Sequence, residues 1–411
     1  MKKINGFLAL SFLSILSTGA FALDLAKPLP NWIDAGREKA DGKAPVMAPS
    51  RRGPTPADFR IPAEYEPVGA VVLGWAGYTG MLNGIAKAVT GPGKAQIWAV
   101  AGPASIQGVP PASYTRISAP VDTVWVRDYG PFGLSAGQGR PGIVDSIYRH
   151  YQYRRNDDAV PAVLGKVKKI DVFGIPIILD GGNVMVDSKG NLFMTKRTYV
   201  WNSNMSQSAV DAALKTYFKV KNIITFDYSG YPGEPADGTG HIDMFMKLLN
   251  DHTVLVSVAA TEPFKSNSEK AIAYFTGRKA ADGEPYKIIT VKGWENYGTW
   301  YTYTNSLIVN KVAIIPSYGG HSAEEAAAKA AYEAGIAGVT VVPVPSDDSI
   351  TSGGSIHCVT QTIPVLPGRL ANAGEVFTDK PEFIDMTVDA PVTPLRNSGN
   401  YTAVDQLIIG F

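Results

Sequence analysis

The 411-residue chain holds a single cysteine, Cys358. One thiol excludes an intrachain disulfide framework and any zinc or iron–sulfur centre built on several cysteines. Net charge is nearly nil, with 38 Lys and Arg against 37 Asp and Glu. A field that weak does not drive binding to nucleic acid or anionic lipid, so neither is expected as a main partner. Beyond the N-terminal segment no stretch of about 18 apolar residues occurs, so nothing later in the chain is expected to span a membrane. Glycine (42) and proline (29) are in excess, which suggests the many turns of a strand-rich fold. At 45% hydrophobic and 18% charged, the chain has the composition of a globular protein with a substantial core.

Residues 1–22 read as a secretory signal peptide. Lys2 and Lys3 precede an apolar run from Ile4 to Leu16, and Ala20-Phe21-Ala22 supplies the small-x-small cleavage pattern. The mature protein is therefore expected to be periplasmic or secreted, with no membrane association after cleavage. A lone thiol in an oxidising compartment points to chemistry at that thiol.

Residues 23–60, rich in Pro, Ala, Gly and charge, read as an N-terminal strap or linker, 61–366 as a catalytic unit, and 367–411 as a less regular, Pro-broken extension. Within 61–366 short strands alternate with helices. Strands are expected at 70–75, 96–101, 123–127, 223–228, 244–249, 253–258, 339–344 and 356–363. The stretch 184–195 reads as strand-like with a hairpin turn at Asp187-Ser188-Lys189-Gly190. Helical spacing appears near 81–89, over 207–220 and over 322–334, where Ser322 and Glu325 form a capping box and Gly335 follows.

Five turn-like segments carry polar groups: WVRDYGP at Asp128, DGGN at Asn183, GTGHID at His241, YTNS at Asn305 and GGSIHC at Cys358. They recur every 53–64 residues, room for about three strands and a helix each. That period suggests radial repetition, with every unit delivering one loop to a common axis.

The residue types at those turns suit one chemistry. A thiolate at Cys358 needs a base and an orienting group, and His241 on its Gly-flanked turn is the candidate acid/base. His357 adjoins Cys358 and, on an extended strand, points to the other face. Asp243 lies two residues from His241, so on an extended strand both share a face. Asp128 and Asp243 match a planar guanidinium, whose N–H donors suit two carboxylates and leave the central carbon open to the thiolate. The alternative assembly is a metal site from His241, Asp243, His357 and Cys358, although no compact ligand spacing appears.

WVRDYGP, DGGNVMVD, GTGHIDMFMK, YTNSLIVN and GGSIHCVTQTIP resemble the motifs of the bacterial peptidylarginine deiminase/agmatine deiminase family. The resemblance runs from IPAEYEPVGAVVLGW (Ile61–Trp75) to Pro364. It implies a pentein fold, a five-bladed α/β propeller, and metal-independent, cofactor-free deimination through a covalent S-alkylthiouronium. Carried over by motif, Cys358 is the nucleophile, His241 the acid/base, Asp128 and Asp243 hold the guanidinium, and Asn305 sits near the nucleophile. Trp125 resembles the aromatic that flanks the guanidinium, and Asp180 and Asn183 of DGGN are assigned to substrate binding.

Between Asp128 and Asn183 the chain reads SIYRHYQYRRNDD, unlike the Trp- and Gly-rich stretch of intracellular agmatine deiminases. Secreted peptidylarginine deiminases that favour C-terminal arginine place two arginines, one residue apart, before an Asn-Asp pair. Aligned on Asn156-Asp157, this chain has Gln152, Tyr153 and Arg154, so one of the two is retained, and Arg155 is an added cation. Arg154 is expected to meet a substrate carboxylate. The leading expectation is a secreted peptidylarginine deiminase acting on arginine-containing peptides or proteins. The alternatives are deimination of agmatine, on the way to putrescine, deimination of free arginine, and an inactive propeller that only binds arginine-bearing ligands.

Overall fold

The structure, a computed structural model, describes residues 27–39 and 53–365. The expected signal peptide, the extension 367–411 and part of the strap lie outside the described residues. Among the described residues no helix is long and apolar enough to cross a membrane.

Val68–Gly74 is buried along its whole length, the mark of a strand covered on both faces. Gln361–Pro364 pairs with it antiparallel on one edge and Gln96–Val100 parallel on the other, followed by Tyr114–Ile117. A parallel neighbour needs a crossover, supplied by the helix Thr79–Thr90. Its Leu82, Ile85, Ala86 and Val89 recur at helical spacing and are all fully buried. Burying each of the larger three stabilises by roughly 1.5–3 kcal/mol.

Four more sheets repeat this order of antiparallel pair, helix and parallel strand. Phe132–Ala136 and Pro141–Ile147 lead through the helix Val160–Lys168 to Asp171–Ile178. Met185–Val186 and Asn191–Thr195 lead through Gln207–Phe218 to Asn222–Phe226. Met246–Asn250 and Thr253–Val258 lead through Phe264–Phe275 to Lys287–Lys292. Leu307–Val309 and Val312–Ser317 lead through Ser322–Gly335 to Thr340–Pro345. Phe59–Arg60 adds an edge strand to the sheet of Phe132–Ala136, and Trp294–Asn296 with Thr299–Tyr301 makes a separate hairpin. The five polar motifs are the turns entering the antiparallel pairs, which gives the 53–64-residue period its structural meaning.

Several expectations are corrected. Thr123–Arg127 is not a strand: Val126–Tyr129 is a helical turn, closed by Gly130 N–H donating to the Val126 carbonyl at 3.1 Å. Strand begins only at Gln361 in the stretch 356–363, because Cys358 and its neighbours form a turn around Asn305. Residues 242–244 are a 3₁₀ turn, so the extended-strand argument for His241 and Asp243 sharing a face does not hold. The capping box is absent. His321 is the N-cap, without a side-chain cap bond, and its ring stacks on Trp294 at 4.3 Å. The hairpin at 187–190 forms as expected. Asp187 Oδ1 accepts from Lys189 and Asn191 N–H at 2.9 and 2.8 Å, and Gly190 adopts φ +93°.

The strand Gln361–Pro364, the last among the described residues, closes onto the early strand Val68–Gly74. Ile363, fully buried, is its apolar anchor. Ile363→Ala is expected to lower unfolding stability by about 2–5 kcal/mol, measured as a shifted urea midpoint at unchanged m-value.

Candidate active site

The five motif turns bring their polar side chains into one buried cluster. Asp128, Asp180, His241, Asp243, Asn305 and Cys358 are all fully buried. Cys358 closes the turn after Gly353-Gly354. A Cβ on Gly354 would lie 2.5 Å from its Sγ, so glycine is required for the sulfur to sit there. Asn305 Nδ2 reaches Sγ at 3.1 Å and Asp243 Oδ2 at 3.1 Å, while its Oδ1 accepts from the Ser355 N–H at 2.9 Å. Asn305 therefore pins both the thiol and the turn that carries it. Asp243 Oδ2 lies 3.8 Å from Sγ.

Two charged networks flank the thiol. In the first, both ring nitrogens of His357 lie 2.6 Å from carboxylate oxygens, Nδ1 from Asp243 and Nε2 from Glu64, so the ring is held from both sides. Glu64 also meets Lys247 Nζ at 2.5 Å and Arg127 at 3.6 Å. Burial pushes the Glu64 carboxyl up, but Lys247, His357 and Arg127 overcome it and hold it well below the usual range. His357, expected on the face away from Cys358, thus holds Asp243.

In the second network His241 Nε2 donates to Asp180 at 3.2 Å, and Nδ1 stands 3.6 Å from Asp128 Oδ1. Asp180 is ion-paired to Arg149, whose guanidinium lies over the Trp201 ring at 5.1 Å. Burial opposes a charge on His241, but Asp128 and Asp180 outweigh it and the net direction is upward. Burial raises Asp128, helped by Asp180 and opposed by His241. Gly182 donates its N–H to Asp128 at 3.0 Å, and a Cβ there would stand 2.4 Å from His241 Nδ1.

Burial, then Asp243 and Asp128, push the Cys358 thiol well above its usual value of about 9, with Asn305 and the Ser355 N–H pulling the other way. Among the buried atoms of these networks without a hydrogen-bond partner among the described residues are Asp243 Oδ1, Asp180 Oδ1 and His241 Nδ1. A buried site with spare carboxylate oxygens and a neutral thiol is built for a cation that also donates hydrogen bonds.

Two residues assigned to substrate binding have their side chains engaged with other protein groups. Asn183 is spent on structure. Its amide donates to the Thr195 carbonyl and Thr198 Oγ1, and its carbonyl accepts from Thr195 and Ile242 N–H, so it clamps the His241 turn. Arg154 is not a surface cation facing substrate. It is fully buried and paired to Glu38 through two 2.8 Å contacts. Trp125 is buried beside the thiol turn, its Nε1 donating to the Leu29 carbonyl at 3.0 Å. Gln152 is half-buried, and no contact among the described residues joins it to the cluster. Arg155 opens the short helix Arg155–Asp158, half-buried.

The four-residue metal set is not assembled, since His241 turns to Asp128 and Asp180 while His357 is held between Asp243 and Glu64. Asp128, Asp180 and His241 do bring one ligand atom each within 4.8 Å of one another, but Arg149 already neutralises that corner. Sequence reasoning missed Asn31, Glu64, Arg149 and Lys247. Only Glu64, in the AEYEP segment, and Arg149, in the cation-rich RHYQYRR stretch, had a visible signal.

Two measurements test this electrostatic picture. Alkylation of Cys358 by iodoacetamide is expected to keep accelerating as pH rises past 9, since the thiolate is suppressed below that range; a plateau near pH 7 would show a thiolate already formed in the free protein. Glu64→Gln strands Lys247 and His357 and is expected to cost about 3–5 kcal/mol of stability, read by urea unfolding.

The chain matches the Porphyromonas-type peptidyl-arginine deiminase family over residues 60–364. Agmatine deiminase of Medicago truncatula is 25% identical over 253 residues, 55% of this chain and 66% of that one. Among solved structures, agmatine deiminase of Enterococcus faecalis aligns with a TM-score of 0.65 at 21% identity, over 75% of this chain and 96% of that one. The C. jejuni agmatine deiminase aligns with a TM-score of 0.61 at 17% identity, over 74% and 96%. At those identities the structural likeness carries the fold, α/β with strand-rich sheets. The family match spans most of the chain and carries more: the protein belongs to the Porphyromonas-type peptidyl-arginine deiminase family, hydrolases acting on guanidino C–N bonds.

Proposed function

We propose that the protein is a cofactor-independent deiminase of small guanidines, with agmatine the first substrate to test. The observation that carries this reading is the buried Cys358 thiol, 3.8 Å from Asp243 Oδ2, in a cluster where Asp243 and Asp180 each keep one oxygen without a hydrogen-bond partner among the described residues. A guanidinium supplies what that arrangement needs, N–H donors for the carboxylates and positive charge for the thiolate.

Cys358 is assigned as nucleophile, Asp128 and Asp243 as guanidinium holders, His241 as acid/base, Asn305 as the group that fixes the sulfur, and Trp125 as a wall of the site. The thiolate attacks the central guanidinium carbon and a C–S bond forms. His241 protonates the departing nitrogen, the C–N bond breaks and ammonia leaves, giving the thiouronium. His241 then deprotonates a water that adds to the same carbon. The C–S bond breaks, the thiolate returns and the product carries a ureido group. Asp180 and Arg149 act through His241 by holding its ring and charge. The five repeating sheets are assigned to a five-bladed propeller whose turns meet at this site.

Peptidyl arginine is the second reading, supported by the description of the family model. The sequence placed it first, on Arg154 meeting a substrate carboxylate. That support is lost while Arg154 is paired to Glu38, and the curated and solved relatives described above carry the name agmatine deiminase. Export remains part of the proposal, resting on the Lys2-Lys3 start, the apolar run and Ala20-Phe21-Ala22.

Ammonia release from agmatine, free arginine and peptides with internal or C-terminal arginine separates these readings. Cys358→Ser is expected to abolish turnover in a folded protein, and exhaustive chelation is expected to leave it intact. Retention of more than about a tenth of wild-type activity by the serine variant would remove the nucleophile assignment, and loss on chelation with recovery on zinc would put a metal at Asp128, Asp180 and His241.

A further inference from the structure

Residues 27–39 precede the segment matched by the family model, yet they lie against the catalytic cluster. Asn31 is fully buried. Its Nδ2 donates to Asp128 Oδ2 at 2.8 Å, and its carbonyl and Oδ1 accept from Arg149 at 3.0 and 3.2 Å. Its own N–H donates to the Ser352 carbonyl at 2.7 Å, in the turn that leads to Cys358. One residue of this strap therefore bridges the carboxylate of one motif turn, the arginine behind His241 and the thiol turn. Leu29 is bound to Trp125 as already described.

The strap is latched from the side. Arg154 donates to both oxygens of Glu38 and to the Pro30 and Trp32 carbonyls at 2.8 and 2.7 Å. Its guanidinium and the Glu38 carboxylate are almost wholly buried. A surface ion pair would hold the strap weakly, whereas a buried bidentate pair with two carbonyl contacts holds it firmly. The cluster's loops are shaped to receive it. A Cβ on Gly77 would stand 2.2 Å from Pro28, and one on Gly353 3.1 Å from the Cβ of Asn31.

We propose that residues 27–39 are an intramolecular pseudosubstrate. The Asn31 amide presents an N–H to Asp128 where a guanidinium nitrogen binds, and the Arg154–Glu38 pair keeps it there. This rests on the assignment of Asp128 to the guanidinium given above. Asn31 cannot react as a substrate, because an amide carries neither the charge that favours the thiolate nor a second nitrogen for the remaining carboxylates. Guanidine and strap compete for one carboxylate, so apparent affinity falls by the fraction of molecules whose strap is seated.

The test uses the full chain, whose only thiol is Cys358, so alkylation reports one site. In Asn31→Ala/Glu38→Gln, iodoacetamide labelling of Cys358 at fixed pH is expected to accelerate about tenfold or more, and kcat/KM for agmatine to rise in proportion. A synthetic peptide of residues 27–39 is expected to slow both again, and the same peptide with Ala for Asn31 to do so at least about tenfold less well. Should the double variant fail to fold, Asn31→Gly keeps the latch and removes only the amide, with the same expected direction. Unchanged labelling would overturn the proposal. Faster labelling with a lower kcat/KM would also overturn it, since the strap would then complete the site. Faster labelling with no ammonia from any guanidine, in wild type or variants, would instead overturn the deiminase reading and leave the strap as the cover of Cys358.

Discussion

Asp128, Asp180 and Asp243 are all fully buried, and Glu64 stands behind them. Buried carboxylates are tolerated only with partners, and removing a partner costs more than the pair contributes. That constraint explains much of the surrounding sequence. Lys247, Arg127 and His357 neutralise Glu64 and Asp243, while Arg149 and His241 neutralise Asp180 and share Asp128. Cys358 lies between the two networks and takes its character from both. Burial and the nearby carboxylates make a free thiolate at Cys358 expensive, so the thiol stays neutral until positive charge arrives. A reactive thiol exposed to oxidation in the free protein is thereby avoided.

The sheets contribute precision rather than chemistry. None of the clustered motif side chains sits inside a strand; each sits on the turn entering an antiparallel pair. The 3₁₀ turn over Ile242–Met244 sends His241 toward Asp180 and Asp243 toward Asn305. An extended strand would have aimed both at the same partner. The departure from ideal strand geometry is what allows two residues, two positions apart, to serve two different networks. Asn183 and Asn305 do the matching work at neighbouring turns, using side-chain amides to tie backbone that has no ladder partner.

The strands 253–258 and 340–345 and the helix Gln207–Phe218 were legible because hydrophobic period and turn chemistry agreed locally. The motif turns were legible because polar residues between apolar runs recur at a near-constant interval. What was not legible depended on distant partners. Val126–Tyr129 has strand-like residue types, but its backbone closes on itself and on the Cys358 turn, with the Arg127 N–H donating to the Cys358 carbonyl at 3.2 Å. Ser322 satisfies a capping pattern, yet His321 takes the cap position because its ring packs on Trp294. Arg154 and Asn183, expected at the substrate from their motifs, have their side chains engaged with other protein groups. The partner of Arg154, Glu38, stands 116 positions away, and Asn183 joins Thr195 and Thr198 to the Ile242 N–H 59 positions on, links that leave no local trace. Asn31 sits in a Pro-rich stretch that reads as tether, because nothing in KPLPNWID announces that its amide reaches Asp128.

Arg154 connects the strap to the question of substrate. Its donors are committed to Glu38, Tyr148 and the Pro30 and Trp32 carbonyls, so with the strap seated it offers no bidentate face to a substrate. If the strap leaves, the same guanidinium becomes a cation in need of an anion. A guanidine carrying a carboxylate can then take the place of both Asn31 and Glu38, whereas agmatine can replace only Asn31. A ligand shifts a two-state equilibrium only by its differential affinity for the two states. On the proposed role of residues 27–39, an arginine-like guanidine therefore gains leverage over the strap that agmatine lacks, even where the bare site holds both guanidinium groups equally well. Selectivity in this protein is in that case a property of the competition with residues 27–39, and it changes when the strap is released.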